Sequence, residues 1–230
     1  MSFDFANPDF ANLDFANLDF AKLRTEMVDK QLRERGIHDE RVLAVMGVIP
    51  RERFIPEEEW ARAYGDEPVP IGYGQTISQP FMTAFMAQAL ELTGDENVLD
   101  IGAGSGYHAA VLGQLAKRVI SIEIVPELAQ FAQENLVRAG LIRNITVVQG
   151  DGGAGFPERA PFDAISVAAG APDVPPRLLD QLNDPGRLVI PVGPLEDQEL
   201  RLVTKRGGRI ESRVVTLCRF VPLRGAHGWK

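Results

Sequence analysis

The chain has 230 residues, 45% of them hydrophobic and 24% charged, which allows one main domain with a sizeable core and a small extension. A formal net charge of -8 argues against a protein that holds nucleic acid by neutralising phosphates, and no apolar run approaches the roughly 18 residues needed to cross a bilayer. The single cysteine, Cys218, excludes an internal disulfide and reads as a buried, inert thiol; with no basic segment leading an apolar one at the start, a cytoplasmic monomer without nucleic-acid or membrane partners is expected.

The chain opens on a repeat, FANPD FANLD FANLD FAKLR, with Phe5, Phe10, Phe15 and Phe20 spaced by five and Leu13, Leu18 and Leu23 between them. That step turns each Phe by about 140° on a helix and flips faces on a strand, so neither element gathers them. The frame resembles the pentapeptide-repeat proteins, but four copies make about one coil, and stacking architectures need several to bury a core. Residues 1–24 are therefore read as a duplicated, partly disordered extension, with docking on the main domain or on another protein as the alternative; residues 25–230 form the domain.

Two helices follow, the first stopped by Gly36 and the second capped by Asp39. RERFIPEEEWARAYGDEPVPIGYG, rich in Pro and Gly, reads as irregular chain over the surface. After the loop IGYGQTISQPFM come a helix, FMTAFMAQALEL, and then a regular alternation. NVLDIG, RVISIEI, ITVVQGD, FDAISVAA and GRLVIPVG read as strands; YHAAVLGQLA, PELAQFAQENLVRAG and PPRLLDQL read as the helices between them. Near-continuous apolar strands alternating with amphipathic helices predict an α/β, doubly wound, mostly parallel Rossmann-like sheet covered on both faces. The last two strands are antiparallel and turn at Gly207-Gly208.

VLDIGAGSGYHAA runs from strand into helix with Gly102, Gly104 and Gly106. Glycines there let the backbone turn and approach a ligand beside the positive end of a helix. Tyr107 stands where a dinucleotide fingerprint has its last glycine, which disfavours a pyrophosphate. Glu123 ends the next strand, where a carboxylate accepts both hydroxyls of a ribose, and a phosphate-free nucleoside fits both facts. Asp151, after the third strand, is placed to accept from an adenine amino group or from a neighbouring backbone amide. His108 reads as helix packing rather than a general base, and with His38 and His227 in separate contexts no metal cluster is indicated.

This pattern resembles the class I S-adenosylmethionine-dependent methyltransferases. GYGQTISQPFM, VLDIGAGSGYHAAVL, GDG, APFDAISVAA and QLNDPGRLVIPVGP, with PRERFIP before them and CRFVPLRG after, resemble in order and spacing the protein-L-isoaspartate O-methyltransferases over roughly residues 25 to 229. The resemblance implies methyl transfer from S-adenosyl-L-methionine, leaving S-adenosyl-L-homocysteine, to the free carboxylate of L-isoaspartyl residues in damaged proteins and peptides. The ester then collapses to a succinimide that hydrolyses partly to normal aspartate. It also implies cofactor contacts at Gly102, Ala103, Gly104, Glu123, Ile124, Asp151 and Gly152, a substrate loop of Thr76, Ile77, Ser78 and Gln79 with Ser78 the active hydroxyl, and main-chain hydrogen bonds from Val221 to the peptide.

The chemistry accounts for a loop without acid or base. A carboxylate with a pKa near 4 is already ionised at neutral pH, and a sulfonium leaves as a neutral thioether, so the loop need only orient the attacking oxygen. Neutral donors do this without blunting the nucleophile, and with no His partner in its motif Ser78 is an orienting donor. Three departures from the family pattern stand out. Gly153 in GDGGAGFP replaces a bulky aromatic and is expected to loosen the adenine wall, NDPGR is expected to alter only a turn, and AAGAP adds Gly170 close to the site. They leave open a methyltransferase of another carboxylate or small molecule, and the repeats leave open a binding module.

Overall fold

The computed structural model describes residues 18–229. The copies of the repeat before residue 18 lie outside them. The fourth copy opens a helix, α1 (Phe20–Glu26), so the boundary drawn at residue 24 falls inside a helical segment. Asp19 caps it by accepting from the Lys22 N–H at 3.0 Å. Phe20 meets Trp60 edge-on at 5.8 Å, and Arg24 donates to the Tyr64 hydroxyl at 2.8 Å and pairs with Glu52. The helix widens through a π turn and then tightens into a 3₁₀ turn before Gly36, where φ is 96°. α2 (Glu40–Val48) is capped by Asp39, as expected.

Residues 51–64 are not simply surface chain. Arg51 and Phe54 in one 3₁₀ turn, and Ile55, Ala63 and Tyr64 beside it and a second, are buried. Two features hid this. Three-residue turns carry neither the helical nor the strand period, and Arg51 is buried against carbonyls and a ring rather than an acid. Its Nε donates to Ala63 O and its Nη2 to Ser78 O, each at 2.7 Å, with the guanidinium 4.9 Å from the Tyr107 ring centre.

A small hairpin, β1 (Val69–Gly72) and β2 (Gln75–Ile77), leads into α3 (Pro80–Ala89). Then come β3 (Asn97–Ile101), α4 (Tyr107–Leu115), β4 (Arg118–Glu123), α5 (Pro126–Arg138), β5 (Ile145–Gln149), β6 (Phe162–Val167), α6 (Pro176–Gln181), β7 (Leu182–Val192), β8 (Gln198–Arg206) and β9 (Arg209–Cys218). The seven-stranded sheet has the order β5-β4-β3-β6-β7-β8-β9. It is parallel from β5 to β7 and antiparallel through β8 and β9.

Alternate strand residues feed two cores. Val98, Val119 and Ala164 pack with the helices of the first half, and Leu99, Ile120 and Ile165 pack with Leu178 of α6 and Leu223. The chain moves outward from β3 to β5 and returns to β6 on the other side of β3, so the crevice at their carboxyl ends is the topological switch point, where ligands of such sheets bind. NDPGR is strand rather than turn: the Asp184 carboxylate accepts from the Gly207 and Gly208 N–H groups at 2.8 and 2.6 Å and ties down the β8–β9 turn.

Candidate active site

The carboxyl ends of β3, β4, β5 and β6 form the floor of a cavity whose wall includes Gly102, Gly104, Glu123, Ile124 and Gly152. Gly102 and Gly104 take φ of 89° and 53°, a region that side chains disfavour. Gly102 N–H donates back to Ile122 O at 2.9 Å, so the loop folds against the sheet with its bare backbone toward the cavity. Glu123 is 6% exposed. Its Oε2 accepts from the Gly104 N–H at 2.8 Å and its Oε1 from the Val125 N–H at 3.0 Å. Each carboxylate oxygen keeps a further lone pair, so Glu123 can hold the loop and still accept ligand hydroxyls. Ile124, although 38% exposed, borders the same cavity as Ile101, Ile122 and Leu223, which makes an apolar slot suited to a flat ring.

Asp151 goes elsewhere. Its Oδ1 accepts from Gly153 N–H at 2.9 Å and its Oδ2 from Ala226 N–H at 2.7 Å, and it is absent from the cavity wall. Of the two partners expected for it, it has taken the backbone amides, fastening the C-terminal segment beside the site. Gly153 lies under that segment: a Cβ there would stand 3.1 Å from His227 Cβ. Residues 221–224 of that segment line the cavity.

That segment is a strap across the sheet edge. Gly170 N–H donates to Val221 O, and Leu223 N–H donates to Gly170 O, both at 2.8 Å. Trp229 Nε1 donates to Gly170 O at 3.1 Å. The Gln198 amide grips both sides of Phe220, accepting from its N–H at 2.8 Å and donating to its carbonyl at 3.2 Å. Val221 lines the cavity and the adjoining cleft; with its carbonyl engaged, its N–H is the donor it can offer.

The hairpin and the start of α3 form the opposite wall. Thr76, Ser78 and Gln79 face an open cleft with Met82, Phe220 and Val221. A narrower inner chamber is lined by Thr76, Ile77, Ser78, Ala103, Tyr107 and His108. Ser78 therefore stands where cleft and chamber meet, and Arg51 holds it there by the carbonyl. The structure brings together every expected site residue except Asp151. Gln75, Ala168, Leu223 and Arg224 also line the site and were not singled out, although all four lie within motifs already recognised.

Neither of the two strongly shifted groups near the site, His108 and Asp100, faces the cleft. His108 is buried with its Nε2 2.9 Å from Ser166 Oγ, and burial lowers its pKa to about 4. Asp100 is raised to about 7, chiefly by burial and also by Glu123, against the pull of the Ser121 hydroxyl; it lies beneath the sheet surface and lines none of these spaces. Among the described residues no cluster of three or more His, Cys, Asp or Glu could hold a metal.

Strand order, glycine loop and strand-end acid define the class of protein: an S-adenosyl-L-methionine-dependent methyltransferase with a Rossmann-like sheet. A family model described as Protein-L-isoaspartate(D-aspartate) O-methyltransferase (PCMT) matches residues 22–228. A protein-L-isoaspartate O-methyltransferase of Methanoculleus marisnigri is 52% identical over 207 residues, 90% of this chain and 94% of its own length. One from Opitutus terrae is 54% identical over 200 residues, 86% and 85% of the two chains. A Plasmodium falciparum crystal structure, assigned as a protein-L-isoaspartate O-methyltransferase and in complex with S-adenosyl-L-homocysteine, superimposes with a TM-score of 0.75 at 30% identity, over 87% of this chain and 98% of its own. The chain belongs to the protein-L-isoaspartate O-methyltransferase family.

The residues fit the family's cofactor. A buried acid with spare lone pairs faces a cavity whose one basic lining residue is Arg224, which suits a nucleoside without phosphates.

Proposed function

We propose that this chain methylates the free carboxylate of L-isoaspartyl residues in damaged proteins and peptides, initiating their repair through a succinimide. The observation that carries the reading is the meeting of cleft and chamber at Ser78, with neutral hydroxyl and amide groups on one side and the glycine loop on the other. S-adenosyl-L-methionine supplies, when bound, a methyl group on a sulfonium. In this reading Glu123 and the backbone of Gly102, Ala103, Gly104 and Gly152 hold the nucleoside end, with Ile124 and Leu223 against the ring. Asp151 acts at one remove, through the strap.

Ser78 donates to the isoaspartyl carboxylate, which arrives ionised and needs no base. Thr76, Ile77 and Gln79 shape the wall that orients it, and the Val221 N–H takes the peptide main chain. Recognition through main chain suits an enzyme that meets damage in many sequence contexts. A chain with a single cysteine, and so no internal disulfide, fits a reducing compartment such as the cytoplasm. No described helix is long and apolar enough to cross a membrane.

Ser78→Ala tests the central role. Losing one hydrogen bond to a charged group, worth about 1.5–3 kcal/mol, lowers turnover about 10- to 150-fold. S-adenosyl-L-homocysteine affinity by calorimetry should hold; a collapse of that affinity with turnover intact would assign Ser78 to the cofactor instead.

A further inference from the structure

The cleft beside Ser78 contains one arrangement that methyl transfer does not require. Among its lining residues two are ionisable, Glu196 at the β7–β8 turn and Arg219 just after β9. They are paired across the mouth, Arg219 Nη2 to Glu196 Oε2 at 2.9 Å, with 69% and 75% of their side chains exposed. Leu195, 45% exposed, borders the same mouth.

A free guanidinium in this place would work against the enzyme. The target is a carboxylate, and protein surfaces carry ordinary aspartates and glutamates in far larger number. An Arg fork binds any of them, often through two parallel hydrogen bonds. It would fill the cleft with undamaged chains, or hold the isoaspartyl oxygen away from Ser78 in a pair that weakens it as a nucleophile.

The geometry points to Glu196 as a built-in decoy: a specificity-determining residue whose carboxylate pairs with one end of the Arg219 guanidinium so that the cleft does not bind carboxylates indiscriminately. The inference rests on the methyl-transfer reading of the site and names its selectivity. Substrate peptides with acidic residues beside the isoaspartate compete with Glu196 for Arg219, and those with neutral or apolar neighbours enter past Leu195 without disturbing the pair.

The test compares isoaspartyl peptides with Glu, Ala or Lys on both sides of the damaged residue, read as the ratio of KM for the Glu peptide to KM for the Ala peptide. Glu196→Gln frees Arg219 and lowers that ratio, and Arg219→Gln leaves Glu196 uncompensated and raises it, each by about two- to five-fold, as expected for largely exposed charges. The double variant returns toward wild type, and 0.5 M salt shrinks every shift. In parallel, a fluorescent peptide carrying ordinary Asp and Glu binds Glu196→Gln more tightly than wild type by anisotropy, a readout independent of turnover. Shifts of the same sign in the two single variants, or unchanged binding of the ordinary acidic peptide, overturn the decoy. If wild type leaves all three isoaspartyl peptides unmethylated while the binding shift appears, the functional reading fails and the decoy's electrostatics stand.

Discussion

Replacing Gly170 with Ala probes how the strap is held. The backbone there tolerates a side chain, since its φ lies outside the left-handed range, but the space does not. An added Cβ would stand 2.3 Å from Gln198 Nε2, 2.5 Å from Cδ and 2.7 Å from Oε1, and Gln198 is 1% exposed, with no open direction to swing. Relieving the contact breaks both hydrogen bonds to Phe220. Two such bonds at about 0.5–1.5 kcal/mol each, with about 1–3 kcal/mol for overpacking, put the loss at about 2–6 kcal/mol.

Urea unfolding measures that loss, and amide exchange at Phe220 localises it. Because the strap brings Val221 and Leu223 to the site, KM for an isoaspartyl peptide rises alongside. Gln198→Ala removes the obstacle, so adding Gly170→Ala to it costs less than about 1 kcal/mol. A Gly170→Ala protein within about 0.5 kcal/mol of wild type, or one whose cost is undiminished beside Ala at position 198, would refute the contact as the reason for glycine.

Three further outcomes are expected. Glu123→Gln turns an amide NH₂ toward the Gly104 or Val125 N–H and weakens S-adenosyl-L-homocysteine binding about 10- to 100-fold by calorimetry; unchanged affinity would remove Glu123 from the cofactor site. Asp100 and His108 pull stability in opposite directions. The raised Asp100 pKa, about 7, makes the native state gain stability as pH falls from about 7 toward 4, and the lowered His108 pKa, about 4, makes it lose stability as pH falls from about 6.5 toward 4. Asp100→Asn therefore leaves an acid-sensitive protein and His108→Gln one that strengthens on acidification, by urea midpoints at pH 4.5, 6 and 8; parallel curves for the two would contradict the assignment. Cys218 is half-buried rather than the buried thiol the sequence suggested, but burial still pushes its thiol up to about 12, so it reacts with iodoacetamide at pH 8 more slowly folded than in urea; equal rates would show the thiol open.

The sheet was legible because its strands are short apolar runs between glycines and caps, and the turn at Gly207-Gly208 lies where the sequence placed it. The cavity was legible for a related reason: Gly102, Gly104 and Glu123 sit at strand ends, and topology alone brings strand ends together. Other features depend on contacts distant in sequence and carry no local signature. Asp151 meets Ala226 across 75 residues, and Arg51 reaches Ser78 across 27. Gly170 is small for the sake of Gln198. The repeat misled in one respect. Its fourth copy replaces the Asn-Leu-Asp of its neighbours with Lys22-Leu23-Arg24, and that change lets Arg24 pair with Glu52 and Tyr64; an Asp in its place would face Glu52.

The most direct measurement is methyl transfer itself. Purified chain, S-adenosyl-L-methionine labelled in its methyl group and a matched pair of peptides, one isoaspartyl and one aspartyl at the same position, are incubated at neutral pH. The account predicts a base-labile methyl ester on the isoaspartyl peptide and none on the aspartyl one. Label on neither peptide, or on both alike, would contradict it.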